Sequence, residues 1–209
     1  MSIVTRKPPI KETVGAQYVC FNTETEDNTW SGIYEEEVEK TKVVKSVKVT
    51  ENSEVVDVYA SGEPYDSDTT TSKTNIEVQI IAFPADTLAR MRGEVVDAGG
   101  LHLSGGQGVR PYFGYGKVVK MKNGKVRYEW YPKCKLAENS DEIATREEKF
   151  SEQADTFTIS AYSFNDNGDI KAYVDSSASN FPEGLTEDKF FAKPILTKED
   201  LEKAVGTAS

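Results

Sequence analysis

Lys117-Val-Val-Lys-Met-Lys-Asn-Gly-Lys-Val-Arg-Tyr-Glu-Trp-Tyr131 decides the fold class of this chain. Asn123-Gly124 stands between two runs of β-branched, aromatic and long polar residues. Asn-Gly in that setting is the preferred type I′ turn of a two-stranded hairpin. In the second run Val126, Tyr128 and Trp130 share one face, and Lys125, Arg127 and Glu129 share the other, which is the period-two alternation of a strand. The alternation predicts that the Val126, Tyr128 and Trp130 face turns into a core.

Downstream of the hairpin, Thr156-Phe-Thr-Ile-Ser-Ala-Tyr162 alternates again, Asn165-Asp-Asn-Gly168 reads as a turn, and Asp169-Ile-Lys-Ala-Tyr-Val174 as the last clear strand. Upstream, Val14–Phe21 is the first strand candidate. Lys42–Val49 reads as a strand, because β-branched crowding outweighs the helical spacing its valines also allow. Glu51-Asn-Ser-Glu54 then reads as a turn and Val55–Tyr59 as the return strand. The polar run 61–75 reads as a loop, long for a compact domain. Ile76–Phe83 alternates, with Ile76, Val78, Ile80 and Ala82 on one face. Pro84 ends that strand and suits a first helical turn, and Asp86, Arg90, Arg92 and Gly93 complete the signature of a short helix. Residues 99–108 form a glycine-rich connector. In the tail, Thr197 as N-cap, acids in the first turn and Gly206 as stop mark a C-terminal helix candidate. The sum is a mainly β chain: an antiparallel β-sandwich or partly closed barrel, one short flanking α-helix at about 84–92, a long hairpin and loop extension, and the C-terminal helix candidate.

The composition fits one folded domain. The chain has 209 residues, with ten tyrosines, nine phenylalanines and two tryptophans. The net charge of −10 argues against a nucleic-acid-binding protein, since phosphate contacts come from clustered Lys and Arg. No apolar run approaches the ~18 residues of a membrane span, and the start carries no signal-peptide stretch. The chain is therefore expected to fold in a cytoplasm.

Little in the sequence supports catalysis. Cys20 and Cys134 form no Cys-x-x-Cys pair and read as core thiols. His102, the single histidine, has no accompanying nucleophile motif and reads as structural or surface. Gly105-Gly-Gln-Gly108 lacks the Lys-Ser/Thr of a phosphate loop and reads as a connector. Asn165–Asp169 resembles part of a calcium loop but lacks a downstream ligand at the right spacing, so it reads as a plain hairpin turn. The acid pairs Asp141-Glu142 and Glu147-Glu148 could serve a glycosidase or a hard cation, yet no site assembles around them. No catalytic, cofactor or metal residue is assigned.

Charge patterning carries more information. Residues 110–135 hold eight basic residues against Glu129, whereas 136–155 hold seven acids against Arg146 and Lys149, and 12–39 hold eight acids and no Lys or Arg. Two readings stand: solvated charge runs, or a bipolar subunit whose basic face meets an acidic face of the next copy.

Several segments, taken in order, resemble the major tail proteins of long-tailed bacteriophages. These are Ile76–Gly93 as strand and short helix, the glycine-rich connector, the aromatic strand Pro111-Tyr-Phe-Gly-Tyr-Gly-Lys117, the Asn-Gly hairpin through Leu136, and Gln153-Ala-Asp-Thr-Phe-Thr-Ile-Ser-Ala161. The likeness covers about residues 40–175. Residues 1–12, with Arg6, Lys7, Pro8, Pro9 and Lys11 and no periodicity, read as a flexible arm and 176–209 as a C-terminal extension, and the likeness implies a tail-tube β-sandwich at 13–175. It further implies a structural virion protein with no catalytic residues. Such proteins form hexameric rings that stack into a tube, house the tape-measure protein and conduct genomic DNA as transient cargo, and their architecture is similar to that of the type VI secretion tube. Implied partners are further copies of the chain, the tape-measure protein, and tail terminator and baseplate or distal tail proteins. The implied location is the virion tail, built in the bacterial host cytoplasm. Assembly candidates are Lys45, Lys48, Tyr59 and Tyr65 in the hairpin and loop at 42–75, Lys122, Lys125 and Arg127 in the basic hairpin, and Glu147 and Glu148 in the acidic stretch. The alternative is a monomeric β-sandwich binding module, a phage adhesin, baseplate or carbohydrate-binding domain.

Overall fold

A computed structural model describes residues 8–206, apart from 24, 26, 27, 61, 62, 98, 106–108, 141–144 and 146–153, with the backbone alone at 53–60, 63–72, 95 and 96. In chain order the elements are β1 (Lys11–Phe21), β2 (Glu39–Thr41), β3 (Val44–Ala60), β4 (Glu63–Ile80), α1 (Ala85–Arg92), β5 (Val95–Val96), β6 (His102–Leu103), β7 (Phe113–Met121), β8 (Val126–Ser140), β9 (Asp155–Tyr162), β10 (Ala172–Asp175), α2 (Glu187–Phe190) and α3 (Lys198–Val205). Eight strands make one antiparallel sheet in the order β2-β1-β7-β8-β9-β4-β3, with β10 also on β8, while β5 and β6 pair apart. The β7–β8 turn is the one its sequence demands: Asn123 and Gly124 both take positive φ, 65° and 69°.

Successive residues of the central strands point to opposite faces, and both faces are buried. On one face Val19 and Phe21 of β1 share a core with Ile76, Val78 and Ile80 of β4, although three strands separate β1 from β4 in the sheet. The sheet must therefore curl over this core. Val14 of β1 and Val47 of β3 line one cleft at the seam, but no ladder joins the two strands, so the sandwich does not close into a barrel. Leu88 and Met91 of α1 pack against the same core. The helix starts after Pro84 and ends at Gly93, whose φ of 68° is left-handed.

On the other face Tyr18, Cys20, Val118, Tyr128 and Trp130 are covered by Leu185, Phe190, Phe191 and Ile195 from the tail. Phe191 stacks on Tyr18 with ring centroids 3.9 Å apart. The glycines of the aromatic strand make this docking possible: a Cβ on Gly116 would lie 2.8 Å from the Phe191 ring, and one on Gly114 would lie 3.0 Å from Pro194. The tail then ends in α3, capped by a reciprocal Thr197–Asp200 box and stopped by Gly206.

The Val126, Tyr128 and Trp130 face does turn inward. Three local expectations are corrected. Glu51–Glu54 is not a turn: β3 runs through it with a register shift between Asn52 and Ser53, so the turn-like residues mark a bulge. The run 61–75 is not a loop either, because β4 pairs with β3 from Glu63 onward. Its polarity suggested a loop, but Thr69–Thr71 suit a strand. Finally, the 165–168 turn joins β9 and β10, but these do not form a hairpin. β8 is 15 residues long, enough to hold both strands end to end along one edge.

Burial raises the phenol pKa values of Tyr18, Tyr34, Tyr115 and Tyr131 and pushes the Cys20 thiol up to about 12. In the unfolded chain these groups ionise at about 8.5 for Cys and about 10 for Tyr. A raised folded value stabilises the fold fully below the unfolded value, and that contribution is lost as pH climbs above it. In an alkaline titration these buried phenols should ionise only as the β-sheet circular-dichroism signal collapses. Complete tyrosinate absorbance with the sheet signal intact would contradict this burial.

Candidate assembly surfaces

The strand register gives the subunit two ends. Lys11 pairs with Met121, Lys120 with Val126 and Thr74 with Ala161, which sets the starts of β1 and β8 at the end toward which β3 and β4 extend. Phe21 pairs with Phe113, Phe113 with Cys134 and Ile80 with Asp155, toward the other end, from which α1 follows. We refer to these as the arm end and the helix end.

At the arm end β3 and β4 outrun the sheet. The β4–β9 ladder stops at Thr74, while the β3–β4 ladder continues to Ala60↔Glu63. The strand from 53 to 60 spans about 26 Å at ~3.3 Å per residue, and among the described residues this ribbon has no third strand. Its sequence carries Glu54, Asp57, Glu63, Asp66 and Asp68, with no Lys or Arg between 49 and 72. Among the described residues the outer edge of β3 also has no strand paired to it.

Among the nine candidate residues, Lys45 and Lys48 are exposed near the base of β3, with Lys45 in the seam cleft beside Lys11 and Glu12. Tyr59 pairs in register with Pro64, so Tyr59 and Tyr65 stand near the ribbon's tip, and their side chains lie outside the described residues. The β7–β8 turn brings Lys122, Lys125 and Arg127 together at the arm end. Lys122 and Lys125 are exposed, and Lys125 Nζ donates to the Ser176 carbonyl at 3.1 Å. Arg127 is already engaged: its guanidinium sits 2.9 Å from Asp175 and 3.7 Å from Glu129. Asp175 is held below the usual carboxylate range; burial pushes it up, but hydrogen bonds from Ser177 and Arg127 outweigh that. Glu147 and Glu148 lie outside the described residues. The chain leaves β8 at Ser140 and re-enters β9 at Asp155, both at the helix end. Basic Lys122 and Lys125 thus sit at one end, and the acidic 141–152 segment is tethered at the other.

Two surfaces escaped the sequence reading. The tail docks through Tyr18, whose hydroxyl donates to Glu187 at 2.6 Å, and through Lys40, 2.9 Å from the same carboxylate. Beside α3 this docking leaves a groove of about 440 Å³ between Ile33–Tyr34 and residues 192–204, rimmed by Lys189, Lys193 and Lys203. The small β5–β6 hairpin presents Leu101 and Leu103, each 59% exposed, with Val109 at 55%. The signals were faint: an apolar tail residue every few positions from Phe181 to Val205, and three aliphatics within a glycine-rich connector.

A family model described as phage tail tube protein matches residues 13–196, from β1 through the tail segment that roofs the second core. No curated protein matches the chain.

Proposed function

The chain belongs to the phage tail tube protein family, and from that premise we propose that its copies close into hexameric rings, which stack head to tail into the tube of a phage tail. The family is structural rather than enzymatic, and its members are components of the virion tail. The tube would house the tape-measure protein, meet the tail terminator and the baseplate or distal tail proteins at its ends, and pass DNA as unbound cargo. Its parts would be made and joined in the host cytoplasm. A lumen lined by part of the chain's surplus acid suits that passage. Repulsion of phosphate acts within about 8 Å at physiological salt, so it would centre the strand rather than grip it.

The β3–β4 ribbon carries this reading. A two-stranded ribbon is marginal in water without a third strand or a helix against it, so its partner is best supplied by another copy. It leaves from the arm end, and a head-to-tail contact between unlike ends repeats without limit. In such a stack Lys122 and Lys125 of one copy would approach the acidic segment with Glu147 and Glu148 of the next. Tyr59 and Tyr65 would dock with the ribbon tip, and Lys45 and Lys48 would flank the free edge of β3. Arg127 would serve from within, by holding the β8–β10 corner.

Replacing residues 55–69 by Asn-Gly should leave a subunit with an unchanged unfolding transition that forms no tubes in negative stain. Normal tubes from that variant would remove the ribbon from the stacking contact. A full-length protein that stays monomeric at every concentration would favour the binding-module alternative.

A further inference from the structure

We propose that the β5–β6 hairpin of one copy seats in the lysine-rimmed groove beside α3 of its lateral neighbour, so that this pair of surfaces closes the ring. The proposal rests on the self-association proposed above but concerns a contact different from the ribbon.

Among its described residues the hairpin presents an apolar knob. Val95 pairs with Leu103 and Val96 with His102. The Asp97 N–H donates to the Leu101 carbonyl at 2.9 Å, and the Gly100 N–H to the Asp97 carbonyl at 2.8 Å. The two ends of the excursion touch: a Cβ on Gly93 would lie 2.7 Å from the Val109 carbonyl oxygen, which only glycine permits there. At its base Glu94 lies 3.2 Å from Arg92 and 3.9 Å from His102. Leu101, Leu103 and Val109 are thus held in place and more than half exposed. A clustered, preorganised apolar surface marks an interaction site.

The groove matches it in apolar character and in sign. Ile33, Pro194, Ile195, Leu196 and Ala204 give it an apolar lining, and Ile33 is 65% exposed. Its charges are Lys189, Lys193 and Lys203 against Asp200, and the Asp200 carboxylate already accepts the N–H groups of Leu196 and Thr197. Glu94 is taken up at the base by Arg92 and His102, and from there to Val109 the formal charge in the sequence is Asp97, with no Lys or Arg. An apolar knob carrying an acid therefore meets a basic apolar groove.

Placement decides between ring and stack. The knob lies just before Phe113, the first residue of β7. The groove reaches the strand at its next residue, where Pro194 packs over Gly114. Both surfaces sit at the helix end. The knob follows α1, which covers the first core, whereas the groove borders the second core on the opposite face. Complementary patches at one level on different sides of a subunit make a heterologous contact, which closes into a ring when the rotation permits.

Disulfide trapping tests this directly. A Leu103→Cys/Ala192→Cys variant, with the buried native Cys20 and Cys134 unaltered, should yield a ladder of covalent oligomers under mild oxidation. The ladder should persist when residues 55–69 are also replaced by Asn-Gly. In parallel, Leu101→Asp/Leu103→Asp and Lys193→Glu/Lys203→Glu should each keep the wild-type unfolding transition. Each should raise the concentration needed for assembly by about 30-fold or more, as loss of a hot spot does. Adding Asp97→Lys to the lysine reversal should restore part of that loss. Tubes that form normally in both charge variants, or an absent ladder in a protein that forms tubes, would overturn the knob-and-groove contact and leave the tube reading intact. A wild-type chain that forms neither rings nor tubes would overturn both.

Discussion

Trp130→Ala is expected to destabilise the subunit by about 3–5 kcal/mol, the usual effect of truncating a buried large aromatic. Trp130 is fully buried, its ring lies 5.4 Å from that of Phe191, and its indole N–H donates to the Phe190 carbonyl at 3.1 Å. Truncation would remove the floor on which the tail sits and strip the Phe190 carbonyl of its donor. The damage should be local first: hydrogen exchange and proteolysis should speed up across 185–196 before they do across β4 and β9, whose residues belong to the other core. Denaturant unfolding gives the magnitude. A loss below about 1 kcal/mol would show that the tail is held mainly by Tyr18 and Phe191.

The same residues show how far the sequence could be read. The Asn-Gly turn, the helix closed by Gly93 and the helix capped by Thr197 are local signals, set by φ requirements and end groups within a few residues, and all three stand in the structure. What escaped was non-local. Gly114 and Gly116 were read only as part of an aromatic strand, and only Pro194 and Phe191, far along the chain, explain why a side chain is excluded there. The ribbon was legible only in part: Val55–Tyr59 reads as a strand, whereas the polar run after residue 60 lacks the apolar alternation that marks one. The assembly surfaces were legible as charge runs but not as geometry. Register was needed to set Lys122 and Lys125 at the end opposite Ser140 and Asp155, between which the acidic run lies in sequence.

Period-two alternation also assigned Glu129 to a charged outer face, and this hid a buried ion pair. β8 is covered on both sides, so Lys117 and Glu129, directly opposite each other across the β7–β8 ladder, are each only 7% exposed. The ammonium stands 3.1 Å from the carboxylate, and Tyr131 donates a further hydrogen bond to Glu129 at 3.3 Å. Burial pulls the Lys117 pKa below its usual range, and Glu129 resists that pull. Such a pair gives little net stability relative to apolar residues of the same size, because desolvation offsets the attraction; removing the ammonium leaves the buried carboxylate with only the Tyr131 hydroxyl and the more distant Arg127 guanidinium, 3.7 Å away. Lys117→Met is therefore expected to cost about 3–5 kcal/mol, whereas Lys117→Met/Glu129→Leu should return to within about 1 kcal/mol of the wild type or exceed it. A double-mutant cycle by denaturant unfolding measures the coupling. If Lys117→Met alone costs less than about 1 kcal/mol, water reaches Glu129 through the open seam between β1 and β3, and the pair acts as a surface bridge.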